Sequence, residues 1–271
     1  MISCRLTDEP LAGTAPLART WWLVEDPGPW GAGAPRTSRL EGVRDLTSDD
    51  ERRVLLVRPT GRRASSGQGI VVWVVPGSGG RPVRHVAKDP QDLPHWPLTG
   101  DPRCIAETPS ADIPRLLVCT NSARDACCGV VGRDLLRSLG PQRGLWESSH
   151  LGGHRFAPTA LQAAQGMAYG RLTADVAAAA LASPEPGMAL VDYLRGSPSL
   201  TAQQQVAQIA VLRHTGQVGV AFVTTDRGVD VGLADGETLT VELRTIDLPE
   251  RPASCGAEPT PARALEVVDL R

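Results

Sequence analysis

Lysine is almost missing from this chain. Lys88 is the one lysine among 28 basic residues, and arginine supplies the rest. With abundant alanine and glycine this is the composition of GC-rich bacterial genomes, an association with source and not with function. An excess of charge is missing too: the formal net charge is −2, which excludes a general attraction to nucleic acid or anionic membrane. No apolar run approaches the roughly 20 residues that a membrane helix needs. Residues 1–10 are polar and acidic and lack the apolar core of a signal peptide. The expectation is a cytoplasmic protein whose six cysteines are reduced thiols, buried residues or ligands before they are disulfides. Internal repeats and long low-complexity segments are also absent.

What is present is an ordinary globular composition, 41% hydrophobic and 21% charged over 271 residues, enough for one large domain or two small ones. Residues 1–110 form a β-rich region. Segments 21–25, 53–58 and 70–75 are short apolar runs rich in Val, Leu and Trp, bounded by turn residues, and predict strands. Loops at 26–35 and 60–69 separate them, and the stretch 88–109, with five prolines, predicts a connector.

Residues 111–185 are more legible. A buried strand at 115–119 ends on Cys119, and a helix over 129–139 places Val131, Leu135, Leu136 and Leu139 on one face. A strand at 145–148 leads to a histidine loop. A hairpin of 159–164 and 167–172 turns at Gln165 and Gly166, and Thr173 caps an alanine-rich helix ended by Pro184 and Pro186. The order β-α-β, β-β-α is that of a thioredoxin-like α/β fold. The C-terminal region, 186–271, predicts α+β structure: a helix over 201–214, then strands where Val218, Val220 and Phe222, and Leu239, Val241 and Leu243, alternate. The strand pattern of residues 1–110 permits a second thioredoxin-like domain.

The chemistry concentrates in two short segments, CTNSARDACC from Cys119 to Cys128 and HLGGH from His150 to His154. A cysteine at a strand end and another at a helix start can face one pocket. Gly152 and Gly153 weaken any helix between the histidines, so a tight loop is expected there, one that lets both imidazoles converge. No glutamate follows His150, so this is not the H-E-x-x-H of zinc proteases. Cys127, beside Cys128, is either a ligand in its place or a buried neighbour. Cys4, Cys104, Cys255, His85, His95 and His214 have no partner spacing and are read as structural. Two cysteines and two histidines can hold zinc, although eight residues between the cysteines exceed the usual C-x₂₋₄-C. Spacing alone leaves zinc and iron–sulfur level.

The runs CTNSARDACCGVVG and WESSHLGGHRFAPTALQAAQGMAYGRL, together with DEPLAGTA at 8–15, resemble the sucrase/ferredoxin-like family of thioredoxin-like [2Fe–2S] ferredoxins. The family pattern, C-x₈-C then H-x-G-G-H, matches Cys119, Cys128, His150, Gly152, Gly153 and His154. The interval between Cys128 and His150 is short, at 21 residues. The resemblance implies a [2Fe–2S] cluster held by Cys119, Cys128, His150 and His154, with Cys127, Gly152, Gly153 and Arg155 around it and Trp146 near by. It implies an electron carrier working with an unidentified redox partner protein more than a catalyst of its own. Nothing in the sequence resembles a sugar-cleaving site.

Two imidazoles in place of two thiolates leave an oxidised cluster neutral instead of doubly negative, which raises its potential toward roughly −150 to +300 mV. A ligating imidazole keeps one N–H, so the potential is expected to depend on pH, which voltammetry between about pH 6 and 10 would show. Two other readings use the same residues: a zinc-stabilised binding module, and a thiol oxidoreductase using Cys119 with Cys127 or Cys128. The second lacks the C-x-x-C spacing and leaves the histidines unexplained.

Overall fold

A computed structural model describes residues 8–46, 48–61, 69–89, 91, 93, 113–183 and 188–271. Cys4, Cys104, His95 and most of the 88–109 connector lie outside the described residues. The N-terminal part supplies β1 (Thr20–Glu25), β2 (Arg52–Pro59), β3 (Ile70–Pro76) and β4 (Val83–Ala87). The central part supplies β5 (Leu116–Cys119), α1 (Arg133–Leu139), β6 (Leu145–Ser148), β7 (Ala160–Gln162), β8 (Met167–Tyr169) and α2 (Ala174–Ala182). Then come β9 (Leu194–Gly196), α3 (Ala202–Thr215), β10 (Ala221–Thr224), β11 (Gly228–Gly232), β12 (Thr238–Pro252) and β13 (Pro259–Leu270). No helix among the described residues is long and apolar enough to cross a membrane.

Strands β1 to β9 form one mixed sheet in the order β4-β3-β1-β2-β6-β5-β7-β8-β9. The fold is α/β, and one arrangement occurs in it twice. β1 runs parallel to β2 and antiparallel to β3, which is antiparallel to β4. β5 likewise runs parallel to β6 and antiparallel to β7, which is antiparallel to β8. The two sets join edge to edge where Val57, Arg58 and Pro59 pair with Ser148, Glu147 and Trp146. At this seam Glu147 accepts two hydrogen bonds from Arg58, at 3.1 and 2.8 Å, and Trp73 meets Trp146 edge to face with centroids 6.1 Å apart.

Continuous apolar runs such as IVVWVVP suit strands covered on both faces. Alternation then divides the core. Trp21 and Leu23 join Leu117, Cys119 and Trp146 on one face, while Trp22 and Val24 pack with Val43 and Leu56 on the other. Leu116 and Val118 turn away from Cys119, toward Leu181, Ile209 and Leu212.

Thr173 caps α2 as expected, its side chain accepting from the Val176 N–H. Thr201 and Gln204 form a capping box at the start of α3, and Gly216 ends that helix in the left-handed region at φ 74°. Two local expectations change. The helix expected from 129 opens as a π turn, Cys128–Gly132, before α1. The alternation at Val218 and Val220 lies outside β10. The proline-rich tail forms a long hairpin of β12 and β13. β11 pairs with β12 only from Thr238 to Glu242, so beyond that point the hairpin is a two-stranded ribbon. Among the described residues its outer edges have no neighbouring strand to receive an N–H, which is where Pro249, Pro252, Pro259 and Pro261 are tolerated.

Candidate functional site

The cysteine loop leaves β5 at Cys119 and is fastened at several points. Thr120 Oγ1 donates to Glu147 at 2.8 Å, and Asn121 Nδ2 donates to the Gly31 carbonyl at 3.2 Å, so an N-terminal loop walls one side. Asp125 turns the chain by accepting from the Cys127 N–H at 2.9 Å. Two glycines then let the π turn settle on the strand end. A Cβ at Gly129 would lie 2.2 Å from the Ser122 Cβ, and one at Gly132 would lie 2.1 Å from the Cys119 carbonyl oxygen.

The histidine loop follows β6. The backbone of Leu56 grips Ser149, donating to its hydroxyl at 3.0 Å and accepting from its N–H at 2.7 Å. Gly152 and Gly153 both occupy the left-handed region, at φ 84° and 73°, and reverse the chain between the histidines. His154 opens a 3₁₀ turn, His154–Phe156. Beneath the loop lies Arg195, 2% exposed, which donates to the Gly152 carbonyl at 2.9 Å, to Thr14 Oγ1 at 3.1 Å, and to the Thr14 carbonyl.

This folding brings the donor atoms of Cys119, Cys128 and His150 within 4.8 Å of one another, a grouping able to hold a metal ion. Both cysteines are fully buried. The His154 ring lies against that of His150, with centroids 5.3 Å apart and planes tilted by 34°. The Nδ1 atoms of both histidines are buried and make no hydrogen bond among the described residues. His154 Nε2 lies 2.6 Å from the Ala253 carbonyl oxygen. A carbonyl only accepts, so Nε2 carries the proton and Nδ1 keeps its lone pair.

Electrostatics reinforce this arrangement. The Cys128 thiol and the His150 imidazole hold Cys119 well below the usual thiol range, against the effect of burial. Cys128, facing that thiolate in a buried place, is pushed far up. Burial lowers His154 more than the Ala253 carbonyl and Asp125 raise it, which keeps the imidazole neutral. Burial alone would raise Asp125, but the N–H groups of Cys255 and Cys127 outweigh it and keep this carboxylate ionised.

Cys127 stands apart from the first group. Its sulfur faces Cys255, at 3.0 Å, and Asp125. Cys255, read as structural from its lack of partner spacing, is carried there by the loop between β12 and β13. Arg155 turns away from the donors to Glu9, at 2.7 and 2.8 Å, and Arg251 of β12 binds the same carboxylate at 2.7 and 3.0 Å. Trp146 is core, and His85 and His214 lie in β4 and in the last turn of α3, outside the donor group.

Sequence reasoning missed Glu9, Asp125, Arg195 and Ala253. Glu9 lay in the segment DEPLAGTA, where an acidic pair ahead of an apolar run was the available signal. A backbone carbonyl such as that of Ala253 has no signature. Over residues 12–196 the chain matches the family described as sucrase/ferredoxin-like. No curated protein and no solved structure matches it.

Proposed function

The chain belongs to the sucrase/ferredoxin-like family, and from this we propose that it is an electron-transfer protein holding a [2Fe–2S] cluster on Cys119, Cys128, His150 and His154. The observation that carries the reading is the convergence of two buried thiols with His150, against whose ring His154 lies, while the buried Nδ1 atoms of both imidazoles have no hydrogen-bond partner among the described residues. A buried polar atom left without a partner is costly. These two nitrogens suit a metal.

When bound, such a cluster supplies reversible one-electron oxidation and reduction. The chain's own residues set the conditions. Holding the cluster, Cys119 and Cys128 would contribute thiolate charge, and two ligating imidazoles would contribute none. Their set carries two fewer negative charges than four thiolates, and the expected potential is correspondingly raised, toward roughly −150 to +300 mV. Arg195 places a buried positive charge under the histidine loop. Its pKa is pulled down by burial to about 9, so it stays protonated at neutral pH. The Ala253 carbonyl and Asp125 orient His154, and the core face of Trp21, Trp146 and Leu151 keeps water from the thiols. With the cluster bound, these residues would support exchange of electrons with a redox partner protein.

A single zinc ion on the same residues is a second reading, favoured by the compactness of the three donors, within 4.8 Å. Iron, acid-labile sulfide and zinc are measured per chain, with the visible spectrum, in protein purified without air. Iron and sulfide in the ratio of the cluster, with absorption bleached by dithionite, support electron transfer. One zinc without iron supports the second reading, and metal-free protein in which Cys119 and Cys128 react with alkylating agents overturns both.

A further inference from the structure

Beside the donor group lies a second pair of cysteines that the cluster reading does not use. Cys127 is 8% exposed and Cys255 is half-buried, and they come from segments 128 positions apart in the chain, the start of the π turn and the β12–β13 loop. Their sulfurs are 3.0 Å apart. Two thiolates sharing a tetrahedral metal at about 2.3 Å would stand roughly 3.8 Å apart. A disulfide needs a sulfur–sulfur distance of about 2.05 Å. The observed pair is already closer than a shared metal would hold it, and a small movement of either side chain would close the bond. Asp125 holds both backbones for that closure, accepting from the Cys127 N–H at 2.9 Å and the Cys255 N–H at 3.2 Å.

We propose that Cys127 and Cys255 form a reversible dithiol–disulfide couple, oxidised by a low-molecular-weight disulfide, that ties the β12–β13 loop to the loop carrying Cys128. The more exposed Cys255 thiolate attacks the small disulfide, whose bond breaks and releases one small thiol. The Cys127 thiolate then attacks the Cys255 sulfur, the protein disulfide forms, and the second small thiol leaves. Two electrons pass from the cysteine pair to the small disulfide, and the two cysteine protons go with the departing thiols. The bond would add a covalent link next to Cys128 and two positions from Ala253, whose carbonyl holds His154. In the dithiol state the loop is kept in place by Asp125 and, further along, by Glu9. This couple goes beyond the cluster reading and does not depend on which metal the donor group holds.

The test uses the full chain as purified, with whatever metal it contains. One sample is treated with glutathione disulfide and another with dithiothreitol. Both are alkylated under denaturing conditions, digested and mapped by tandem mass spectrometry. We expect a peptide linking Cys127 to Cys255, and alkylation of Cys255 lowered by about tenfold or more against the reduced control. Cys255→Ser should abolish the link, and because Cys255 sits in a surface loop a second variant, Cys127→Ser, gives an independent control. Equal alkylation in both samples overturns the proposal, as does a Cys255–glutathione adduct that never resolves, or a link from Cys255 to Cys128 or Cys119. A zinc ion that protects both thiols until it is chelated also overturns it. The mapped link is read independently of iron content, so this proposal and the cluster reading fail separately.

Discussion

Arg195 donates from Nη1 to the carbonyl of Gly152 at 2.9 Å, and a Cβ placed on the neighbouring Gly153 would fall 2.3 Å from its Nη2. The two glycines of HLGGH therefore differ. Both need the left-handed conformation, which costs a residue with a Cβ about 1–2 kcal/mol. Only Gly153 also lies against a guanidinium that three acceptors prevent from moving. A Cβ on Gly152 would meet nothing nearer than Pro16, at 3.8 Å. Urea denaturation should show Gly152→Ala losing about 1–2 kcal/mol and Gly153→Ala clearly more, with metal content reduced further in the second. Equal losses would mean that the Arg195 contact does not constrain the loop.

Removing that guanidinium should itself be costly. Arg195→Gln leaves at least one buried carbonyl of Thr14 or Gly152 unpaired, and hydrogen bonds from a charged donor contribute about 1.5–3 kcal/mol. The expected loss is about 2–3 kcal/mol in chemical denaturation at neutral pH. A loss within experimental error would show that water replaces the guanidinium there.

Glu9 should make the stability depend on acid. Burial would raise its pKa, but hydrogen bonds from Arg155 and Arg251 outweigh burial and hold it below the ordinary 4.5. A carboxylate depressed in the folded state adds stability that is complete above its unfolded pKa and lost as pH falls through the folded one. Glu9→Gln should therefore be less stable than the parent at pH 7, by about 3 kcal/mol for a buried carboxylate shared by two arginines. The gap should narrow below about pH 4.5. Parallel denaturation curves from pH 7 to 3 would decide it; a constant gap would contradict the assignment.

The neighbouring cysteines should separate cleanly. Cys128→Ser removes a donor from the group with Cys119 and His150, whereas Cys127→Ser removes a sulfur from the group with Asp125 and Cys255. Metal per chain should fall to near zero in the first and stay near the parental value in the second. The reverse result would make Cys127 the ligand.

Much of this was legible in the chain, and the reasons are physical. β1, β2, β3 and β6 announce themselves because short apolar runs between turn residues have few other uses, and Thr173 and Thr201 announce helix starts by hydroxyl chemistry. The loop between His150 and His154 was readable because two adjacent glycines make helix unfavourable. The π turn at Cys128 was not readable, since it depends on Gly129 and Gly132 fitting against Ser122 and Cys119, contacts between segments. Nor was the hairpin: Pro249, Pro252, Pro259 and Pro261 argue against strand by local preference, and only a ribbon with open edges accommodates them. Cys255 was set aside for the same reason, because its partner is defined by that ribbon's reach and not by spacing.

The reach has a mechanical meaning. β12 is 15 residues long, so at about 3.4 Å per residue it is a rod of roughly 50 Å. One end is built into the sheet with β10 and β11 and braced by α3; the other ends one residue before Ala253. Glu9 grips the rod near its tip through Arg251, like a fulcrum. The carbonyl that orients His154 is thereby joined to the far sheet by one continuous strand, whose pairing with β13 shifts register after Glu242 and again after Leu248.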